Sequence, residues 1–283
     1  MSAVSKLYQR LGLTLERVAV DWCRQSVEMT IAVEPRPYAI HLHKYSLLDR
    51  QACAAIACYL VEDPSECIFR ARDVVLLAKD LFFGQWRQAV PDKDGRLFPA
   101  ERWLKLQWVD QYRNAILWGC CIGDWDAVRR ISEYPSGLTI DEVSFRKSEA
   151  PWYQSLAAYL RGDADSDLAL NGQPREEPSS KPGSFERLIE EGRSKRMKLL
   201  IAVLRAIAAK DSAMVQERIE QYLAYYRHIE FPRPSCDEKL ALDGSILVHL
   251  AEHVGLTVHV RDIYRDHIIR LPSDLVARSS SVR

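Results

Sequence analysis

The chain has 283 residues, 47% hydrophobic and 28% charged, enough to bury a sizeable core as one large helical domain or two smaller ones. Its 39 basic residues balance 39 acidic ones. It therefore lacks the basic excess with which a general nucleic-acid binder neutralises phosphates, and nothing in the balance favours a membrane surface. The N-terminus MSAVSKLYQRLGLTLERV has no uninterrupted apolar stretch of the kind a secretory signal needs. No apolar run approaches the ~20 residues of a spanning helix, so a cytoplasmic protein is expected.

Taken in order, residues 3–28 carry Leu7, Leu11, Leu15, Val18 and Trp22 near helical spacing, with Met29–Pro35 expected as a short strand or loop. A helix is expected from about Ser46 to Val61. Asp63-Pro64 then reads as N-cap and first helical residue of another, reaching about Gln88. Pro91–Gly95 is a turn, and Pro99–Cys121 a helix. The turn Gly123-Asp124 follows, with Asp124 placed to cap a second helix that ends by Pro135. Pro151 opens a helix through Leu160.

Residues 163–183, rich in Asp, Glu, Pro, Ser and Gly, form a mobile surface loop between an N-terminal part (1–162) and a C-terminal part (184–283) of a single domain. Two helices flank Lys210-Asp211-Ser212. Leu240–Val254 is a late helix closed by Gly255, residues 256–260 suggest a short extended piece, and the final ARSSSVR is expected to fray.

A repeat lies beneath this order. Ala115–Val128 superimposes without gaps on Ala202–Val215, with Ala, Leu, Asp and Val coinciding at 115/202, 117/204, 124/211 and 128/215. A weaker echo ends at Asp163, so the turn aspartates Asp124, Asp163 and Asp211 are 39 and 48 residues apart. About 40 residues is the length of a two-helix solenoid unit, and small residues before the turn let the paired helices close up. The expected fold is all-α, a stack of helical hairpins.

Candidate chemistry is sparse. His249-Leu250-Ala251-Glu252-His253 puts two histidines at i and i+4 beside a glutamate, a zinc-hydrolase pattern. No glutamate follows Glu252 to complete the ligand set, and little chain remains to build a cleft. There is no GxSxG, P-loop or GxGxxG. The Asp163/Asp165/Asp167 series lacks the glycine and glutamate of a calcium loop. Seven cysteines, with no CxxC among them, read as buried core residues. The sequence is thus read as a non-enzyme with no cofactor and no metal. Aromatic residues near the hairpin ends, Trp118, Trp125, Trp152 and Tyr153, are the candidate partner-binding residues, because Trp and Tyr commonly anchor interfaces.

From Asp237 onward the segment DEKLALDGSILVHLAEHVGLTVHVRDIYRDHIIRLP resembles the C-terminal part of the immunity 49 family of bacterial polymorphic toxin systems. The matching positions are Ala251, Gly255, Val258, Val260, Tyr264, Leu271 and Pro272. The resemblance implies an all-helical protein, monomer or homodimer, that binds a cognate toxin protein in the producing cell and blocks it without catalysis. Were the toxin a nuclease, Glu176/Glu177 or Glu190/Glu191 would be expected to contribute an acidic patch. The alternative function is a helical-repeat adaptor, and a zinc-dependent hydrolase through residues 249–253 comes third.

Overall fold

The computed structural model describes residues 15–33, 40–84, 100–134, 150–163, 195–230 and 240–280. Among these, eleven α-helices and no strand occur: α1 Leu15–Ala32, α2 Ile40–Leu60, α3 Pro64–Phe83, α4 Ala100–Cys121, α5 Trp125–Ser132, α6 Ala150–Arg161, α7 Lys195–Ala208, α8 Ser212–Tyr225, α9 Leu242–His253, α10 Asp262–Arg265 and α11 Ser273–Ser280. A π-helical turn, Tyr226–Glu230, extends α8. None of the helices is long and apolar enough to cross a membrane. The chain divides into two compact units, residues 1–100 with 271–283, and residues 101–270. The loop expected at 163–183 lies, from residue 164 on, outside the described residues, as do the turn at 91–95 and residues 3–14.

In the first unit α2 packs on α1 and α3, and α11 packs on α3. Small residues set the closeness of these contacts: Ala52, Ala54, Ala55 and Cys58 on α2, with Ala71 and Ala78 on α3, are all buried. The helix α1 runs through Met29–Ala32, where a strand or loop is expected from sequence. Thr30 accounts for part of this, since its hydroxyl donates to the Ser26 carbonyl one turn back (2.8 Å), which suits a β-branched residue to a helix. The C-terminal helix α11 likewise orders the stretch expected to fray, through Ser280.

In the second unit the helices again pack as successive pairs, α5 with α6 and α7 with α8, while α6 also meets α7. Both α7 and α8 close on α9. Every residue from Leu242 to Val248 is buried, so the first two turns of α9 are enclosed on all sides and form the axis of this unit. Gly244 permits that enclosure: a Cβ there would stand 3.0 Å from the Tyr222 ring and 3.3 Å from Ile268. The residues 256–260 carry no strand. Their pairing comes instead from a side chain, because the Gln216 amide both donates to the His259 carbonyl (2.8 Å) and accepts its N–H (2.9 Å).

The turns share one construction. Every described residue with positive φ (Glu62, Gly123, Gly162, Lys210 and Gly255) stands just past a helix end. At each, the N–H of that residue bonds three residues back and the next N–H bonds five residues back, as in Asp124 N–H to Gly119 (2.9 Å) and Asp211 N–H to Ala206 (3.1 Å). This is the Schellman closure, which satisfies carbonyls that the helix leaves open. At four of the five the following residue is aspartate (63, 124, 163, 211), and three of these cap the next helix. Asp63, Asp124 and Asp211 accept from Glu66, Ala127 and Met214 at 3.1, 3.0 and 3.0 Å. The repeat read from sequence thus has a further member at Glu62-Asp63, hidden because Glu62 takes the place of glycine.

Gly119 explains the small residues before the turn. A Cβ there would lie 2.6 Å from Val128 Cγ2, so α4 and α5 meet at a distance that only glycine allows. Gly119→Ala is expected to cost about 1 kcal/mol net, a clash of about 1–3 set against about 1 of gained helix propensity. Combined with Val128→Ala it should cost less than the two separate losses together, and additivity in urea titrations would show that the helices do not meet here. A left-handed conformation costs an L-residue about 1–2 kcal/mol, so Lys210→Gly should raise stability by about 1 kcal/mol. An unchanged or lowered denaturation midpoint would contradict that conformation at Lys210.

Candidate functional site

Three of the four aromatic candidates face inward. Trp118 and Tyr153 are fully buried and Trp152 is 1% exposed, against the expectation that they stand at the surface. For Trp152 and Tyr153 the reason is a buried charge. Asp243, on the first turn of α9, is itself 1% exposed and accepts from Tyr153 Oη (2.9 Å), Trp152 Nε1 (3.4 Å) and the Arg196 guanidinium. Arg113 on α4 adds a second positive charge near it and is 3.6 Å from Asp110. The tip of each α6 aromatic is therefore committed to the core. Tyr112 closes the group edge-on to Tyr153, with ring centroids 6.0 Å apart.

The electrostatics of Asp243 are decided by opposing effects. Burial pushes its pKa up, but the Arg196 and Arg113 charges and the bonds from Tyr153 and Arg196 outweigh this and hold the carboxyl below its ordinary range. Sequence reasoning passed over this residue. The available signal was a lone aspartate in LALDGSILVHLA, an otherwise apolar run that calls for a cationic partner.

Trp125 is placed differently. It opens α5 immediately after the Asp124 cap, is half-buried, and stacks on the exposed His253 ring at 3.7 Å between centroids with 15° between planes. His253 is held below the ordinary histidine pKa by burial first and by the Arg129 charge second. The helix end that presents His253 is closed by Gly255. The platform is thus fixed from both sides.

The members of the His249–His253 string are engaged mainly outside it, although His249 Nδ1 lies 4.0 Å from Glu252. His249 donates from Nε2 to the Ile269 carbonyl (2.8 Å), and burial lowers its pKa. Glu252 pairs with Arg270 (2.6 Å), and His253 stacks on Trp125. No group of three or more His, Cys, Asp or Glu side chains positioned to hold a metal occurs among the described residues. Five of the six described cysteines are buried free thiols, while Cys53 departs from expectation by being exposed. Burial first, then the Glu66 charge, pushes Cys58 up to about 11. An open cleft of about 480 Å³ lies between α8 and the 259–263 segment, lined by Gln216, Glu220, His259, Arg261 and Asp262 among others. The acidic residues Glu176/Glu177 and Glu190/Glu191 lie outside the described residues. No protein-family model, curated protein or solved structure matches the chain.

Removing the Asp243 carboxylate takes the buried ion-pair partner from Arg196 and a neighbouring negative charge from Arg113, which keeps Asp110. Asp243→Ala is expected to cost about 3–5 kcal/mol, measured by denaturant unfolding. The wild-type contribution is complete above pH about 4, where the unfolded carboxyl is also ionised, and is lost as the pH falls toward the lowered folded value. Asp243→Asn should lose stability at neutral pH and show a shallower acid limb than wild type. Equal acid limbs would mean that Asp243 does not carry this charge in the fold.

Proposed function

We propose that this chain is an immunity protein that binds a cognate toxin domain of a bacterial polymorphic toxin system and neutralises it by protein–protein inhibition. The observation that carries the reading is the Trp125–His253 stack. It is a large aromatic platform on the surface of a unit whose turns are locked and whose axis is buried over its first two turns. A preorganised aromatic anchor keeps down the ordering cost of association, and Trp is prominent among interface hot spots. The segment with the family resemblance forms part of this support: Ala251, Val258 and Tyr264 are buried and Gly255 has the left-handed conformation that closes α9. These are residues of scaffold, so a shared fold accounts for them.

The second reading, a helical-repeat adaptor, draws on the shared turn construction at Asp63, Asp124, Asp163 and Asp211. Co-expression with the toxin domain encoded immediately upstream separates the two. Growth rescue and a co-purifying complex are expected for the immunity protein, with Trp125→Ala weakening the complex about 30-fold or more. Neither rescue nor complex would leave the adaptor as the better reading.

A further inference from the structure

The aromatic platform has a charged neighbour. Arg129 lies one helical turn beyond Trp125 on α5, the spacing that puts two side chains on one face, and its charge acts on the His253 ring. It is exposed. Several arginines of this unit have carboxylates of their own: Arg130 with Glu133, Arg161 with Asp163, Arg265 with Asp262, and Arg270 with Glu252. Among the described residues the Arg129 side chain has no hydrogen bond or ion pair, although Asp126, three positions before it, stands at a spacing where helical ion pairs form.

An unpaired guanidinium beside a stacked ring pair defines its ligand by chemistry. The planar fork of arginine matches a carboxylate bidentately, and the adjacent rings accept the apolar stem that carries it. A nucleic-acid backbone needs several cations in series, and the next cation on α5, Arg130, is already held by Glu133. We propose that Trp125, His253 and Arg129 form a docking patch for an acidic segment of the partner protein, whose Asp or Glu carboxylate pairs with Arg129 while its stem packs on the rings. The inference rests on the immunity reading, since the partner is the toxin domain.

The test is titration calorimetry of the full chain with the toxin domain encoded immediately upstream, at low and at physiological salt. Wild type is expected to bind, more weakly as salt rises. Arg129→Glu should weaken binding about 30-fold or more, and Arg129→Lys by an intermediate factor because the bidentate geometry is lost. Arg129→Lys should unfold at the wild-type temperature and Arg129→Glu slightly below it, since an anion in the last turn of α5 opposes the helix dipole, and both should be fully folded at the temperature of the titration. Wild-type affinity in Arg129→Glu would overturn this inference and leave the immunity function standing. No binding by wild type would overturn both.

Discussion

The second unit depends on a carboxylate that has no access to water. Asp243 sits on the enclosed first turn of a helix, and such a charge is tolerated only where cations and hydrogen-bond donors replace its hydration. Arg196 on α7, Trp152 and Tyr153 on α6, and Arg113 on α4 supply that replacement, so one acidic group dictates the relative placement of four helices. Apolar packing alone tolerates small slips of one helix on another, whereas this arrangement does not. Position at the first turn of α9 adds the favourable end of the helix dipole.

Around that axis the unit is closed by short-range chemistry. Ser245 accepts the Ile269 N–H, the His267 carbonyl accepts from Ala241 and the Ile269 carbonyl accepts from His249, so the segment after α10 is tied back to α9 by three bonds. Four of the described helix ends, at residues 62, 123, 162 and 210, follow one rule, a left-handed residue and then an aspartate. The rule satisfies open carbonyls of one helix and an open N–H of the next within a few residues, so these hairpins turn sharply without long loops. A scaffold of this kind presents surface side chains at low entropic cost, which suits recognition more than it suits a moving catalytic lid.

The surface platform is built on two helix ends. Trp125 follows the Asp124 cap directly, and His253 precedes the Gly255 closure, so two helix ends bring their rings face to face. The same stacking removes His253 from any pairing with His249, whose ring is spent on a backbone carbonyl. A motif that looks like one ligand set along a helix is thereby divided among three separate contacts.

Local physical chemistry decided what could be read in advance. The all-helical class, the caps at Asp63 and Asp124, the turn at Lys210-Asp211 and the glycine after α9 were legible because each depends on neighbours within about five residues. The close approach at Gly119 was legible as a stripe of small residues, although not as a contact with Val128. The continuation of α1 past Met29, the inward turn of Trp118, Trp152 and Tyr153, and the pairing of Gln216 with His259 were not. Trp152 and Tyr153 meet Asp243 across about 90 residues of sequence, and Gln216 meets His259 across 43. No periodicity records such distances. By itself the sequence determined the closed helix ends at Asp63, Asp124, Asp211 and Gly255, because capping and backbone conformation are local. Only the tertiary structure decided which aromatics serve the core and which one faces out, because Trp152 and Tyr153 are turned inward by a buried charge on a distant helix.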